Sequence, residues 1–346
     1  MKYRKLGNTD IDVSVICLGT MTFGQQNSQA EAFAQMDYAL EQGVNFFDTA
    51  ELYSIPPKAE TYGSTETIIG NWLKARGTRD RITLASKIAG PGKDWIPHIR
   101  DGRSVFDRIN IEAALNDSLR RLQTDCIDLY QLHWPERKTN FFGQLGYAPQ
   151  DDTFTPVEET LTVLADQVAA GKIRMIGLSN ETPWGVMRFL DTAERLGLTR
   201  IVSVQNPYNL LNRSYEVGLA EISWREQCGL LAYSPLGFGV LSGKYLGGAQ
   251  PPGARLTLYP DYQRYSSPAA ISATERYVAL AHQHDLDPAQ MALAYVNSRP
   301  FLTSTIIGAT TMAQLRSNIA SIDLSLADEV LIEIEEIHNL HPNPSP

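Results

Sequence analysis

Short apolar runs alternate along this chain with longer segments in which apolar residues recur every three or four positions. The runs are rich in β-branched and bulky residues and are almost continuously apolar, a pattern typical of strands that are buried on both faces of a parallel sheet. They predict eight strands, over residues 15–19, 45–49, 82–87, 127–133, 173–179, 201–205, 230–234 and 304–308.

Between these runs, the apolar spacing predicts amphipathic helices over residues 30–42, 66–76, 109–122, 157–170 and 184–196. Four of these helices stop directly before a glycine, the residue that most often follows a helix end. These glycines are Gly43, Gly77, Gly171 and Gly197. The alternation of eight strands with helices predicts an α/β fold, a closed (β/α)8 TIM barrel that comprises residues 1–346 as one domain.

Several segments are additions to the repeating barrel unit. A β-hairpin over residues 3–13 precedes the first barrel strand and is expected to plug the base of the barrel. Long loops over residues 89–108, 135–156 and 237–269 each follow a strand, so they should lie at the C-terminal face, where barrel enzymes build their sites. The tail from Leu324 carries one more helix, and residues 341–346 are proline-rich and expected to be disordered.

Composition narrows the class of protein. A net charge of −9 argues against a nucleic-acid surface, which usually needs a clustered basic face. No apolar signal-peptide core follows Met1, and no stretch of ~18 apolar residues occurs, so neither export nor a membrane span is expected. Cys17, Cys126 and Cys228 are scattered and odd in number, which fits reduced thiols in a cytoplasmic protein better than a disulfide or zinc framework.

Four ionisable residues, Asp48, Tyr53, Lys87 and His133, lie at or just beyond the ends of consecutive predicted strands. Because these strand ends converge on one mouth of a barrel, the four side chains can surround a single point. Taken singly, an aspartate or tyrosine after a strand is more often structural than catalytic, and His133 could be a satisfied core histidine. Lys87, however, should be carried inward by its strand and then needs a partner, which Asp48 can supply. The four together favour a catalytic site.

The same residues suit the reduction of a carbonyl group. Hydride addition builds negative charge on the carbonyl oxygen, which must be protonated as the charge forms. A tyrosine with its usual pKa of ~10 is a poor acid at neutral pH, and an adjacent cation stabilises the phenolate and lowers that pKa. Lys87 can be the cation beside Tyr53, Asp48 can hold the lysine, and His133 can donate a hydrogen bond to the substrate oxygen. No strand end carries a cluster of metal-ligand spacing, so no metal is expected.

More specific motifs occur in four segments. Residues 15–20 read VICLGT, residues 43–53 read GVNFFDTAELY, residues 118–133 read SLRRLQTDCIDLYQLH, and residues 171–180 read GKIRMIGLSN. In this order and spacing they resemble motifs of the aldo-keto reductases, and the resemblance spans residues 3 to about 338. Within that family the chain looks most similar to the bacterial Tas-type branch.

The resemblance implies Tyr53 as the acid, a tetrad completed by Asp48, Lys87 and His133, and NADP(H) bound across the barrel mouth without a Rossmann fold. Ser179, Asn180 and Gln205 match positions that hold the nicotinamide carboxamide, and Tyr233 matches the aromatic residue that stacks on the ring. The remaining matched positions are Ser234, Leu236, Gly239, Leu241 and Lys244 for the diphosphate, and Gly308, Thr310, Gln314 and Asn318 for the adenosine end.

The diphosphate segment is also plausible without the resemblance, because glycines let backbone N–H groups approach phosphates and Lys244 offers charge. Alone, Gly237-Phe238-Gly239 is a weak motif that could be merely a turn. One position departs from the family pattern: many relatives place an arginine where Gln314 stands, to clamp the 2′-phosphate of NADP. Arg316 lies nearby, but a helix would turn it away from Gln314, so only a modest preference for NADPH is expected.

Two other functions compete with a reductase. A redox-sensing regulatory protein with little turnover would use the same barrel and cofactor, as the potassium-channel β-subunits, which this chain resembles, illustrate. A metal-dependent hydrolase lacks the histidines and carboxylates that it would need at strand ends. The expected partner is a small carbonyl compound, in an apolar pocket for which the loops offer Trp95, Trp134, Phe141, Phe142 and Tyr147. Some of these rings could instead only pack the loops together.

Overall fold

The computed structural model describes residues 1–345. Its strands are β1 (Tyr3–Lys5), β2 (Asp12–Ser14), β3 (Ile16–Gly19), β4 (Phe46–Asp48), β5 (Thr83–Ile88), β6 (Ile127–Leu132), β7 (Ile173–Ser179), β8 (Ile201–Pro207), β9 (Gly229–Tyr233) and β10 (Leu302–Ile307). Strands β3 to β10 form a closed parallel barrel in chain order, and β10 pairs with β3 to close it. The predicted (β/α)8 barrel is confirmed, with every predicted strand in place.

The helices within these residues are α1 (Gln29–Glu41), α2 (Ser64–Arg76), α3 (Arg108–Leu122), α4 (Val157–Ala169), α5 (Pro183–Leu196), α6 (Leu219–Arg225), α7 (Arg255–Leu258), α8 (Pro268–Gln283), α9 (Pro288–Asn297), α10 (Met312–Ala320) and α11 (Asp328–Leu340). The five predicted helices agree with α1 to α5 to within two residues. Gly77 and Gly197 end their helices in the left-handed conformation, with φ of 61° and 63°, which glycine adopts without a steric penalty.

The N-terminal hairpin closes the base of the barrel, as the sequence predicts. Strands β1 and β2 pair antiparallel, from Tyr3 opposite Ser14 to Lys5 opposite Asp12. Leu6 and Val13 are fully buried and pack against the inward-facing apolar residues of the barrel strands. Burial of this apolar surface explains why such a short hairpin is stable here, since an isolated hairpin is marginal in water.

The C-terminal tail differs from its prediction. Residues 341–345 are not detached from the fold: the backbone N–H of Ser345 donates to the Leu211 carbonyl at 3.1 Å, and Ser267 Oγ donates to the Pro344 carbonyl at 3.1 Å. Asn343 Oδ1 accepts from the backbone N–H of Arg213 at 2.7 Å. The prediction of disorder was therefore wrong for residues 341–345, because their polar groups find partners on loops distant in sequence; Pro346 lies outside the described residues.

The segment predicted as the loop 237–269 also contains regular structure. A 3-10 segment covers Gly237–Ser242, α7 follows within the loop, and α8 begins at Pro268. The loops over residues 89–108 and 135–156 lie at the C-terminal face as expected, because each follows the carboxyl end of a barrel strand. No helix in residues 1–345 combines the length and apolar character needed to cross a membrane.

Candidate active site

Every second residue of a barrel strand points inward, so the side chains inside the barrel form successive layers. An apolar cluster above the hairpin includes Phe46, Ala85, Leu129 and Leu231. Two residues further along the same strands come Asp48, Lys87, Gln131 and Tyr233. The predicted catalytic residues Asp48 and Lys87 thus lie directly above this apolar cluster, at the C-terminal mouth.

Lys87 is the centre of the polar layer. Its side chain is fully buried, and Nζ lies 2.7 Å from Asp48 Oδ2, 2.8 Å from the Thr49 carbonyl oxygen and 3.4 Å from the Tyr53 hydroxyl. Each of the three ammonium protons therefore has an acceptor. Burial alone would lower the pKa of Lys87, but Asp48 and Tyr53 raise it above its ordinary value. Lys87 is accordingly a cation at neutral pH, in contact with the phenol.

Two glutamines hold the second oxygen of the Asp48 carboxylate. Gln205 Nε2 donates to Asp48 Oδ1 at 2.8 Å, and Gln131 Nε2 donates to the same atom at 3.2 Å. Gln205 was predicted to contact the nicotinamide carboxamide, and here its amide nitrogen is engaged by Asp48. Sequence reasoning missed Gln131, although its place two residues before His133 on one strand was a signal, since both positions point inward.

His133 lies against Tyr53 at the end of β6. Their ring centroids are 5.6 Å apart with the rings nearly perpendicular, at 76°. Burial, and secondarily the charge of Lys87, hold the pKa of His133 well below its ordinary value. Its imidazole is therefore neutral at neutral pH. Nδ1 of His133 is buried and has no hydrogen-bond partner among residues 1–345.

The pKa of Tyr53 differs from the value expected from the sequence. Burial is its largest influence and raises it, while Lys87 lowers it by less, so the pKa lies above the ordinary 10.0. The phenol is thus protonated throughout the neutral range. The effect of Lys87 is to limit the rise that burial causes and to stabilise negative charge that develops on the phenol oxygen.

A cluster of hydrogen bonds joins the residues matched to the carboxamide position. Asn180 Nδ2 donates to the His133 carbonyl at 2.8 Å, and Asn180 Oδ1 accepts from the Tyr233 hydroxyl at 2.6 Å. Ser179 Oγ donates to the Gln205 carbonyl at 2.9 Å. The cluster binds the ends of β7, β8 and β9 to the tetrad, so the predicted residues do lie at one mouth.

The predicted diphosphate segment has an open backbone and an adjacent cation. The predicted residues follow β9 in order: Ser234 and Leu236 on the turn, Gly239 and Leu241 on the 3-10 segment, and Lys244 two residues after that segment ends. Gly239 has φ of +87°, and a Cβ added there would come within 2.8 Å of Lys244 Nζ. Lys244 Nζ also lies 5.2 Å from the ring centroid of Tyr245. Only glycine leaves this cradle open between the backbone and the ammonium group.

The predicted adenosine residues lie where β10 leads into α10. Gln314 is exposed, and its Oε1 accepts from the Thr310 backbone N–H at 2.9 Å and from the Thr310 hydroxyl at 3.1 Å. Asn318 Nδ2 donates to the Gly308 carbonyl at 3.1 Å. Arg316 stacks on Tyr38 with its guanidinium carbon 5.3 Å from the ring centroid, away from Gln314 as predicted.

Sequence reasoning missed a buried arginine and an ion pair at the mouth. Arg255 of α7 has its guanidinium carbon 4.3 Å from the Phe238 ring centroid, and burial lowers its pKa. Glu51, fully buried, accepts from both terminal nitrogens of Arg100 at 2.7 and 2.8 Å and from the Ala89 backbone N–H at 2.7 Å. This ion pair fastens the loop over residues 89–108 beside the segment that carries Asp48 and Tyr53. Nothing in the local sequence signals either contact.

The predicted aromatic residues of the loops fall into two groups. Trp134 is buried and lies 5.1 Å from Trp95 and 5.7 Å from Phe142 between ring centroids, with Phe141 4.9 Å from Phe142. Tyr147 is 64% exposed and, with Trp134 and Phe141 of this stack, lines a cavity of about 390 Å³. Within residues 1–345, no three His, Cys, Asp or Glu side chains are grouped so that they could hold a metal ion.

Comparison with known proteins identifies the family. The model of the aldo/keto reductase family matches residues 15–339. The chain is 53% identical to protein Tas of Escherichia coli strain K12, with all of both chains covered. It is 34% identical to the Bacillus subtilis uncharacterized oxidoreductase YrpG over 97% of this chain and 96% of that one, and 29% identical to a probable voltage-gated potassium channel subunit beta of Arabidopsis thaliana over 99% and 98%. The chain therefore belongs to the aldo/keto reductase family of oxidoreductases.

Proposed function

We propose that this protein reduces the carbonyl group of aldehydes or ketones to an alcohol, with NADPH as the hydride donor and Tyr53 as the proton donor. The observation that carries the proposal is the position of Lys87. A fully buried ammonium group that contacts both a carboxylate and a phenol is costly to assemble, because each buried charge must be desolvated. Its contact with the phenol suits a group that has to release a proton.

Each residue of the tetrad has a distinct part in the proposed reaction. The bound cofactor supplies hydride to the carbonyl carbon. Tyr53 donates its hydroxyl proton to the carbonyl oxygen as negative charge develops there. Lys87, 3.4 Å away, stabilises the phenolate that Tyr53 becomes. Asp48, held by Gln131 and Gln205, keeps Lys87 charged and in place.

His133 is proposed to orient the substrate. Because its imidazole is neutral, one ring nitrogen carries a proton and can donate to the carbonyl oxygen while the other cannot. A neutral donor also avoids a second cation beside Lys87.

The residues of the mouth fit a dinucleotide. The cradle at Gly239 offers backbone room and the ammonium of Lys244 for phosphate oxygens, and Arg255 adds a guanidinium. Tyr233 would stack on the nicotinamide, with Ser179 and Asn180 at its carboxamide, and Gly308, Thr310, Gln314 and Asn318 would contact the adenosine end. Because Gln314 is neutral, the proposed preference for NADPH over NADH is modest.

The test is the variant Tyr53→Phe, which keeps the ring and removes the phenolic proton. Hydride transfer from NADPH to an unactivated aldehyde should slow ~10²–10⁴-fold in single-turnover mixing, the usual contribution of a positioned acid. The affinity for NADPH, measured by fluorescence titration, should stay nearly unchanged because the ring still fills its place. Tyr3→Phe, at the other end of the barrel, is the matched control and should leave the rate at the wild-type value.

Two outcomes would contradict the proposal. Hydride transfer at the wild-type rate in Tyr53→Phe would make Tyr53 a wall of the pocket, and the proton would have to come from His133 or water. A wild-type protein that oxidises its bound NADPH once and then turns over extremely slowly with every aldehyde would favour the redox-sensing alternative instead.

A further inference from the structure

One more arginine lies at the mouth of the barrel and has no part in the proposed reaction. Arg264 belongs to the segment between α7 and α8, on the loop that follows β9. Its guanidinium carbon lies 5.6 Å from the ring centroid of Phe142 and 5.7 Å from that of Phe238. Arg264 thus joins the loop that follows β6 to the loop that follows β9, across the opening.

Arg264 is connected to the reaction centre by two routes of direct contact. Along the aromatic route, the His133 ring lies 4.9 Å from Trp134, Trp134 lies 5.7 Å from Phe142, and Phe142 carries Arg264 on its face. Along the polar route, Tyr233 lies beside Arg264 and donates to Asn180, which in turn donates to the His133 carbonyl. Two residues therefore separate the guanidinium from His133 along each route.

No carboxylate neutralises this arginine in residues 1–345. Burial lowers the pKa of Arg264, and the phenols of Tyr233 and Tyr265 raise it by more, so the group is always charged. Its largest electrostatic neighbours are those phenols, and Arg255 is a second cation nearby. Arg264 hydrogen-bonds to the Tyr233 and Tyr265 phenols, but a guanidinium has five N–H donors. Because these partners are neutral, the half-buried group keeps donors and charge for an anion, which an arginine paired with Asp or Glu does not.

Arg264 and Arg255 share one neighbour, the ring of Phe238, and differ in their other contacts. The guanidinium carbon of Arg255 lies 4.3 Å from the Phe238 ring centroid, next to Gly239 of the proposed phosphate cradle, whereas that of Arg264 lies 5.7 Å from the same centroid. Arg264 also lies on Phe142, an aromatic residue of the loop that follows His133, and Arg255 does not. The phosphates of the cofactor thus have two nearer cations, and Arg264 is left for the substrate side of the opening.

We propose that Arg264 binds an oxyanion, a carboxylate or a phosphate, carried by the substrate at the end opposite its carbonyl group. This assignment rests on the proposed reductase function and adds the substrate class to it: carbonyl compounds with an apolar or aromatic body and an acidic group. The planar guanidinium matches either oxyanion with two parallel hydrogen bonds, while the rings beside it pack against the body of the substrate.

The test compares matched acidic and neutral substrates with NADPH. One pair is 4-formylbenzoate and methyl 4-formylbenzoate, and a second pair is glyceraldehyde 3-phosphate and glyceraldehyde. Arg264→Gln should lower kcat/KM about 10- to 100-fold for an acidic member, the worth of a charge-assisted hydrogen bond. For the neutral members, kcat/KM should change by no more than about twofold, because they make no contact that the substitution removes. Their turnover also reports that the variant is folded.

Two variants sharpen the comparison. Arg264→Lys keeps the charge but not the planar pair of donors. Its kcat/KM for the acidic substrates should therefore lie between those of wild type and Arg264→Gln. Arg299→Gln is the matched control, because Arg299 also stacks on an aromatic ring, 4.2 Å from the Tyr295 centroid, but at the opposite end of the barrel. It should not alter the ratio of acidic to neutral kcat/KM.

The outcomes separate this assignment from the proposed function. Loss of the acidic preference in only one substrate pair would support Arg264 and identify which oxyanion it takes. Equal losses for acidic and neutral members, accompanied by weaker NADPH binding, would make Arg264 a cofactor residue and overturn the assignment while the reductase function stands. Turnover of none of the four aldehydes with either reduced cofactor would refute the reductase function itself.

Discussion

Replacing Lys87 by methionine should separate its electrostatic role from its structural one. Methionine has a similar length, so the variant removes the charge with little change of volume. At the 3.4 Å between Nζ and the Tyr53 hydroxyl, a full charge pair is worth about 5 kcal/mol at an effective dielectric constant of about 20. If about half a charge has developed on the phenol in the transition state, the loss is about 2–3 kcal/mol, or roughly 10²-fold in rate.

The same substitution should also destabilise the fold. Asp48 is buried, and without Lys87 its carboxylate retains only the amide donors of Gln131 and Gln205. Breaking a buried ion pair by removing one partner typically costs about 3–5 kcal/mol of unfolding free energy. The double variant Lys87→Met/Asp48→Asn removes the stranded charge and should recover a large part of that stability, but none of the rate.

Two measurements made on the same samples provide the assay: urea unfolding for stability, and single-turnover oxidation of NADPH with an aldehyde for rate. Lys172→Met is the control, since Lys172 Nζ is exposed and contacts only Asn116 Oδ1 at 2.8 Å, and it should alter neither quantity appreciably. If the double variant regained the wild-type rate together with its stability, Lys87 would be a structural counter-ion of Asp48, and the proposed stabilisation of the phenolate would be refuted.

Three further predictions concern pH, metal and cofactor. The pKa of Tyr53 lies above 10.0, and its acid form is lost as the pH rises through that pKa. The kcat for reduction should therefore stay constant through the neutral range and fall only above about pH 10. A decline centred between roughly pH 7 and 8 would implicate another acid. Activity should survive exhaustive EDTA treatment, since residues 1–345 contain no ligand cluster, and loss that zinc alone restores would contradict this. Fluorescence titration should give modestly tighter binding of NADPH than of NADH, and equal or tighter NADH binding would show that Gln314 leaves the 2′-phosphate without a clamp.

The barrel could be predicted because its signals are local. Runs of apolar residues, such as residues 127–132 and 173–179, are readable one strand at a time, and Gly77 and Gly197 mark helix ends within a few positions of the residues they cap. The tail over residues 341–345 was mispredicted because its hydrogen bonds go to partners far along the chain. Ser345, for example, pairs with Leu211.

The residues of the candidate site likewise divide into those that local sequence signals reveal and those that only the folded structure reveals. Asp48, Tyr53, Lys87 and His133 are visible in the sequence, because inward strand positions recur every second residue and the ends of the strands meet at one mouth. Gln131, Arg255 and Arg264 were not recognised, since their significance depends on neighbours from other strands and loops. Gln205, for instance, reaches Asp48 across 157 residues of chain.

The sequence by itself therefore determined the architecture, the family and the set of ionisable groups that face the mouth, because periodicity, turn residues and motif spacing act over short stretches of chain. Only the tertiary structure decided the electrostatic state of those groups. Lys87 remains charged although it is buried, because Asp48 and Tyr53 lie beside it. His133 is neutral because burial, and secondarily the charge of Lys87, lowers its pKa. The pKa of Tyr53 rises rather than falls because burial outweighs the neighbouring cation. Desolvation and charge–charge distances are properties of the packed barrel, and no linear pattern of residues encodes them directly.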